Sequence, residues 1–127
     1  HEDIRQMVQN DQARLKSVEA LVAKGRLGTR SDYASASLVM QHSQGFAGYR
    51  LAHELAVCRL ILGDRDLGRW LVAATYDRML NSVGHDQRFG TQYLAIGHRR
   101  TDEAGINDRQ RKAFGRPTLA EARARKL

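Results

Sequence analysis

Cysteine occurs once in this chain, at Cys58, and proline once, at Pro117. A lone cysteine excludes an internal disulfide and the cysteine sets of zinc knuckles, and it leaves the redox compartment open. The proline precedes the cap of a short last helix, where it breaks nothing. No uninterrupted apolar run is long enough to span a bilayer. No secretory signal is visible; the chain starts at His1, so a leader upstream stays open and a cytoplasmic location is only the default expectation. RNP-like aromatic stretches and a clear helix-turn-helix are also missing, which sets nucleic acid low among expected partners.

What the chain does have is ordinary globular material, with 127 residues, 42% hydrophobic and 28% charged. That length supports one domain with a real core and not two. The formal charge is +7, with a sequence pI near 10.2. Such a balance allows salt-sensitive contact with acidic partners, nucleic acid included. The charge is uneven: Arg99, Arg100, Arg109, Arg111, Lys112, Arg116, Arg123, Arg125 and Lys126 all fall in the last third. The expectation there is a solvated basic face.

Apolar spacing divides the chain into four main helices. The first runs from Glu2 to about Lys24, with Ile4, Met7, Val8, Leu15, Val18 and Val22 on one face and Gly25 as its stop. Ser31 or Asp32 is the expected cap of the second, which runs to about Ser43. The third spans Phe46 to Leu62, and the fourth starts at Asp64 or Asp66 and ends near Val83 and Gly84. Tight glycine connections favour antiparallel neighbours, so the expected fold is all-α: a single domain over 1–127 with a compact antiparallel bundle over 1–84. Residues 85–106 read as loop or extended chain, with Gln92 to Ile96 as a strand lacking a partner. Residues 107–127 read as two short helices and a basic tail: Asn107 or Asp108 caps one helix to Phe114. Thr118 and Glu121 fit a capping box for the other, with Phe114 and Leu119 packing on the bundle and the tail from Ala122 fraying.

Plotted at about 100° per residue, each main helix carries a polar residue where the core is expected. Asp11 sits in the stripe of the first helix, His42 shares a face with Leu38 and Val39, and His53 centres the stripe of Phe46, Tyr49, Val57 and Leu60. On the fourth helix the stripe of Leu67, Trp70, Leu71 and Ala74 continues into Arg78 and Asn81, with Asp77 at its edge. Four such residues from four helices point to a shared polar centre. Desolvated ionisable groups of this kind concentrate at functional sites, although structural ion-pair networks carry the same signature.

Three chemistries fit unequally. Two histidines with Asp11 would satisfy a facial-triad metal site, but no ligand pair has metal-binding spacing, and His53-Glu54-Leu55-Ala56-Val57 lacks the second histidine of HExxH. No metal and no cofactor are expected. Acid–base chemistry through water is the better fit: Asp11, His42, His53, Asp77 and Arg78 form the candidate catalytic set. In it His42 would move the proton, an aspartate would orient it and Arg78 would hold an anion. Covalent catalysis fits worst, because Ser35, Ser43 and Thr91 lack a nucleophile signature and Cys58 lies on the other face of its helix from His53. Asn81, Gln87, Thr91 and Gln92 are the candidate ligand-binding residues, in a segment where Gly84 and Gly90 permit tight turns and the glutamines offer donors and acceptors together. The expected ligand is a small molecule or peptide. The alternative is a non-catalytic interaction module with a structural polar network and a basic surface for an acidic partner. Oligomeric state is not legible.

The order of short motifs adds a resemblance. Asp11-Gln12-Ala13-Arg14, Gln41-His42, Leu51-Ala52-His53, Ala73 to Arg78, Gln87-Arg88-Phe89-Gly90-Thr91-Gln92 and the late Asn107 to Arg111 with Phe114, Gly115 and Leu119 resemble a bacterial domain family of unknown function. Its hallmarks are DQ-R, QH, DR, Q-x-(Y/F)-GTQ and a late D-x-R-R-x-x-x-G-L-type helix. The match covers nearly the whole chain, fits more loosely from Asn107 onward, and has a shorter segment between Tyr93 and Gly105. It implies a mostly helical domain and draws attention to Asp11, His42, Asp77, Arg78, Gln87 and Gln92. It carries no activity.

Overall fold

The computed structural model describes residues 4–63, 65–94, 97–98 and 100–125. The chain forms an all-α helical bundle of four main helices, α1 (Ile4–Ala23), α2 (Arg30–Met40), α3 (Phe46–Ile61) and α4 (Asp66–Ser82). Two short helices follow, α5 (Asp108–Ala113) and α6 (Leu119–Ala124). Between α4 and α5, β1 (Tyr93–Leu94) pairs antiparallel with β2 (Gly97–His98). The extended segment expected at Gln92 to Ile96 therefore has a partner, supplied by the next residues of the same chain. Ala95 and Ile96 lie outside the described residues, as do Asp64 and the first three.

Local chemistry explains most boundaries, with one correction. The cap of α2 is Thr29 rather than Ser31 or Asp32. The Thr29 hydroxyl accepts from the Asp32 amide, and the Asp32 carboxylate accepts from Gly28 and Thr29 amides at 3.1 and 3.2 Å. Those amides, that of Gly28 foremost, hold the Asp32 carboxyl below its usual range. Asp32 is thus the reciprocal partner of a capping box three residues into the helix. The same helix ends at Met40, earlier than Ser43, and Gln41 closes it. Asn107 and Gln110 form a second capping box on α5. Positive φ at Gly25, Gly84 and Gly115 places the glycines where the chain leaves α1, α4 and α5.

α3 is the central element, packed against both α2 and α4, while α1 lies on α2. One core cluster joins Val18, Ala36, Met40, Ala52 and Leu55; a second joins Ala56, Leu71 and Val72 and receives Phe114 from the C-terminal region. Small residues at the α2–α3 contact bring the backbones close enough for the buried Ser37 hydroxyl to donate to the Ala52 carbonyl at 2.8 Å. Burying Leu71 completely contributes about 2–3 kcal/mol.

The expected stripes are met in part. The buried face of α2 is Ala36, Ser37 and Met40, with Val39 packed on it, while Leu38 is 47% exposed and His42 is exposed. On α3 the buried set is Ala52, Leu55 and Ala56; Val57 and Leu60 of the expected stripe pack on the second core cluster, and Phe46 is exposed. On α4 Leu71 and Ala74 are buried as expected, whereas Trp70 is exposed and Asp77, expected at the edge, is wholly buried. The physical reason is size: alanine and serine allow closer helix approach than leucine, and the closest approach defines the core face. The C-terminal tail is also less frayed than expected, since Ala122 is buried and its carbonyl accepts from the Tyr93 hydroxyl at 3.2 Å.

Candidate functional site

The polar residues picked out along the helices do not meet in one centre. They divide into a buried loop anchor, a histidine inside the bundle, and two separate clefts.

The loop anchor is Asp77, 0% exposed on the last turns of α4. Its Oδ1 accepts from the Arg88 and Phe89 amides at 2.7 and 2.9 Å. Its Oδ2 accepts from the Thr91 amide at 3.0 Å and the Thr91 hydroxyl at 2.7 Å. Four donors complete a carboxylate's acceptor capacity, so Asp77 has no lone pair left for a substrate. The segment 87–92 also holds itself. Gln87 Nε2 donates to the Gln92 carbonyl at 3.1 Å, and the Gln92 amide donates to Gln87 Oε1 at 2.8 Å. Gly90, at φ 74°, turns the chain between these contacts. Phe89 then fills the space between Tyr76 and Phe114, with ring centroids 6.0 and 4.5 Å away. Of the candidate set, Asp77, Gln87, Thr91 and Gln92 are therefore brought together, as the fasteners of this loop.

The anchor continues into the C-terminal region through residues that the sequence presents as surface charge. Arg111 is 3% exposed; its Nε donates to the Arg88 carbonyl at 3.3 Å and its Nη1 to Asp108 at 3.0 Å. The same Asp108 oxygen accepts from the Leu119 amide at 2.9 Å, which first among several contacts holds the Asp108 carboxyl low. Other late cations also have acidic partners: Arg88 with Asp102, Arg100 with Asp86, Lys112 with Glu121 and Arg123 with Glu103. Of the late cations named from the sequence, Arg100, Arg111, Lys112 and Arg123 have acidic partners; Arg111 is buried, while Arg100, Lys112 and Arg123 stay solvent-exposed. No local periodicity marks Arg111 as buried, because its partners come from 3 to 23 residues away.

His53 lies half-buried between α3 and α4. Its Nδ1 is 3.0 Å from the Thr75 hydroxyl, and that hydroxyl donates to the Leu71 carbonyl at 2.8 Å. The ring also sits 5.4 Å from Tyr76. Burial pushes the His53 pKa below its ordinary 6.5, against smaller opposing effects from the Val72 backbone and Glu54. The unfolded chain therefore takes up this proton more readily than the folded one. The expected result is stability that is full above pH about 6.5 and falls as acid carries the pH through that value toward the folded pKa. Urea midpoints from pH 8 to 5 check this, with His53→Asn flattening the slope.

Asp11 and His42 come together at the surface. Both line a cleft of about 360 Å³ with Gln12, Leu15, Glu19, Ser43, Gln44, Gly45 and Gly48, and both line a neighbouring hollow of about 190 Å³ with Arg14, Leu38 and Val39. Asp11 accepts from Arg14 at 3.1 Å. Within the larger cleft Ser43 is only 8% exposed, and its Oγ is buried with no hydrogen-bond partner. Gly48 makes room for it: a Cβ there would overlap both Oγ and Cβ of Ser43. Helix propensity alone favours Gly48→Ala, yet this overlap should dominate. A net loss of about 1–3 kcal/mol is expected, seen as a lower denaturation midpoint.

Arg78 belongs to a different cleft, of about 340 Å³, with Tyr49, Asn81, Ser82, Gln92 and Tyr93. Its Nε donates to Gln92 Oε1 at 3.2 Å and its Nη1 to the Gln41 carbonyl at 3.0 Å. The anion holder is thus separated from the acid–base pair it was expected to serve. Among the described residues, no three histidine, cysteine, aspartate or glutamate side chains cluster to hold a metal. No described helix is long and apolar enough to cross a membrane. Compared with protein-family models, curated proteins and solved structures, the chain matches none.

Proposed function

We propose that this chain is a ligand-binding domain whose site is the cleft shared by Asp11 and His42, and that its ligand is a small molecule or peptide group bearing positive charge. The observation that carries the reading is a cleft of about 360 Å³ that gathers the carboxylate residues Asp11 and Glu19 with His42, Gln12 and Gln44. Two carboxylates lining one cleft favour an ammonium or guanidinium ligand in a protein whose formal charge is +7. Hydrolysis gets less support, because Arg78 lines another cleft and is already engaged by Gln41 and Gln92.

The test uses a panel of small primary amines and guanidines, read by amide chemical shifts of the whole chain. Perturbation centred on residues 11–19 and 42–48 is expected. Asp11→Asn and His42→Ala should each weaken that binding about tenfold or more, while stability moves by less than about 1 kcal/mol because both side chains are solvent-accessible. A large drop in melting temperature with either variant, or no response to any probe, would sink the proposal.

A further inference from the structure

The cleft of about 360 Å³ and the hollow of about 190 Å³ have Asp11 and His42 in common, so these two side chains form the edge where the spaces meet. The two sides differ in chemistry. Glu19 lines only the larger cleft, which therefore holds the second carboxylate. Leu38, Val39 and Arg14 line only the hollow. Leu38 is 47% exposed there, and the long stem of Arg14 adds methylenes to the apolar wall while its guanidinium reaches water. Arg14 Nη1 does bond Asp11 Oδ1 at 3.1 Å. Both partners are exposed, at 63% and 43% of their side chains, and ion pairs of that kind contribute little, so a guest can displace the arginine.

Resting on the cationic-ligand reading above, we infer that the guest is an amphipathic amine. Its ammonium lies on the Asp11–Glu19 side, and its hydrocarbon arm passes Asp11 and His42 into the hollow of Leu38 and Val39. Volume sets the length of the arm. A cavity of about 150 Å³ holds benzene, so a hollow of about 190 Å³ admits an arm of about six carbons. Charge sets the direction. The Arg14 cation repels an ammonium from the hollow, while the two carboxylates attract it on the other side. A second positive charge at the far end of the arm is rejected for the same reason, and specificity comes from that repulsion as much as from the attraction.

Propylamine, butylamine, pentylamine and hexylamine, compared with 1,6-diaminohexane and 1-hexanol at constant ionic strength, test this on the unaltered chain. The readout is the NMR shifts of the Leu38 and Val39 methyls together with the amides of residues 11–19 and 42–48. Affinity is expected to rise about twofold per added CH₂, half of the roughly fourfold that complete burial brings, because the hollow covers one side of the arm. The diamine and the alcohol should each bind about fivefold or more weakly than hexylamine. Leu38→Ser should flatten the series, and the exposure of Leu38 keeps its effect on folding small. A flat series on the unaltered chain, or a diamine that matches hexylamine, would overturn the amphipathic assignment and leave the cationic reading standing. An equal rise at the methyls of Ile61, 77% exposed on α3, would show general adsorption to apolar surface and overturn it as well. No response to any amine would sink both.

Discussion

Asp77→Ala is expected to cost about 3–5 kcal/mol, the range for removing one partner from a buried, multiply bonded charge site. For a domain of this size that is a fall in melting temperature of roughly 10–20 °C. The substitution leaves the Arg88, Phe89 and Thr91 amides and the Thr91 hydroxyl without their acceptor. The Arg88 carbonyl receives Arg111, so loosening this turn also loosens α5 against the bundle. Asp77→Asn is the sharper probe. An asparagine keeps the volume and one oxygen, but its NH₂ must face donors at one of the two oxygen positions. It should still cost about 2–3 kcal/mol. A carboxylate held for chemistry would tolerate that change with little loss of stability. Hydrogen exchange at residues 88, 89 and 91 rising ahead of that in α3 would place the damage in the loop.

How much of this was legible in the sequence depends on range. Helix existence, the glycine stops and the Asn107 cap were legible, because each is decided by residues within one turn. The cap at Thr29 was misassigned to its neighbours because Asp32 is itself a good capping residue, and only the reciprocal bonds show which of the two ends the loop. Asp77 was placed at the edge of its helix by a stripe drawn through large side chains. The better signal was local and small: Ala73 and Ala74 lie four and three residues before it, on the turn its side chain covers, and both are buried. Arg111, Ser37 and Thr75 gave no such signal, since each bonds a carbonyl that any sequence supplies. Asp11 and His42 lie at the surface, not in the core that their stripes suggest, and the turn after α2 brings them to one cleft. The polar residues do not share one centre because α3 lies between α2 and α4 while α1 packs on α2, an arrangement that helix periodicity does not encode.

Gln87→Leu is expected to cost about 2–4 kcal/mol. The side chain is 0% exposed and closes a ring of two hydrogen bonds with the Gln92 backbone. Leucine fits the volume but leaves that amide and carbonyl unpaired in a half-buried turn. Gln87→Glu distinguishes the two bonds. It keeps the acceptor for the Gln92 amide and turns the donor into an oxygen facing the Gln92 carbonyl. Only a protonated carboxyl can donate there, so the cost of this variant should grow as the pH rises from 4 to 7. Gln87 and Asp77 grip the same six residues from opposite sides, one from within the loop and one from α4. Once either grip is lost, the segment can swing toward water and rehydrate its backbone, and the second loss then removes less. The double variant Asp77→Ala with Gln87→Leu should accordingly fall short of the summed single losses by about 1–3 kcal/mol. Strict additivity in urea-melt free energies would mean that the two act on separate units, and that segment 87–92 is not a single latch.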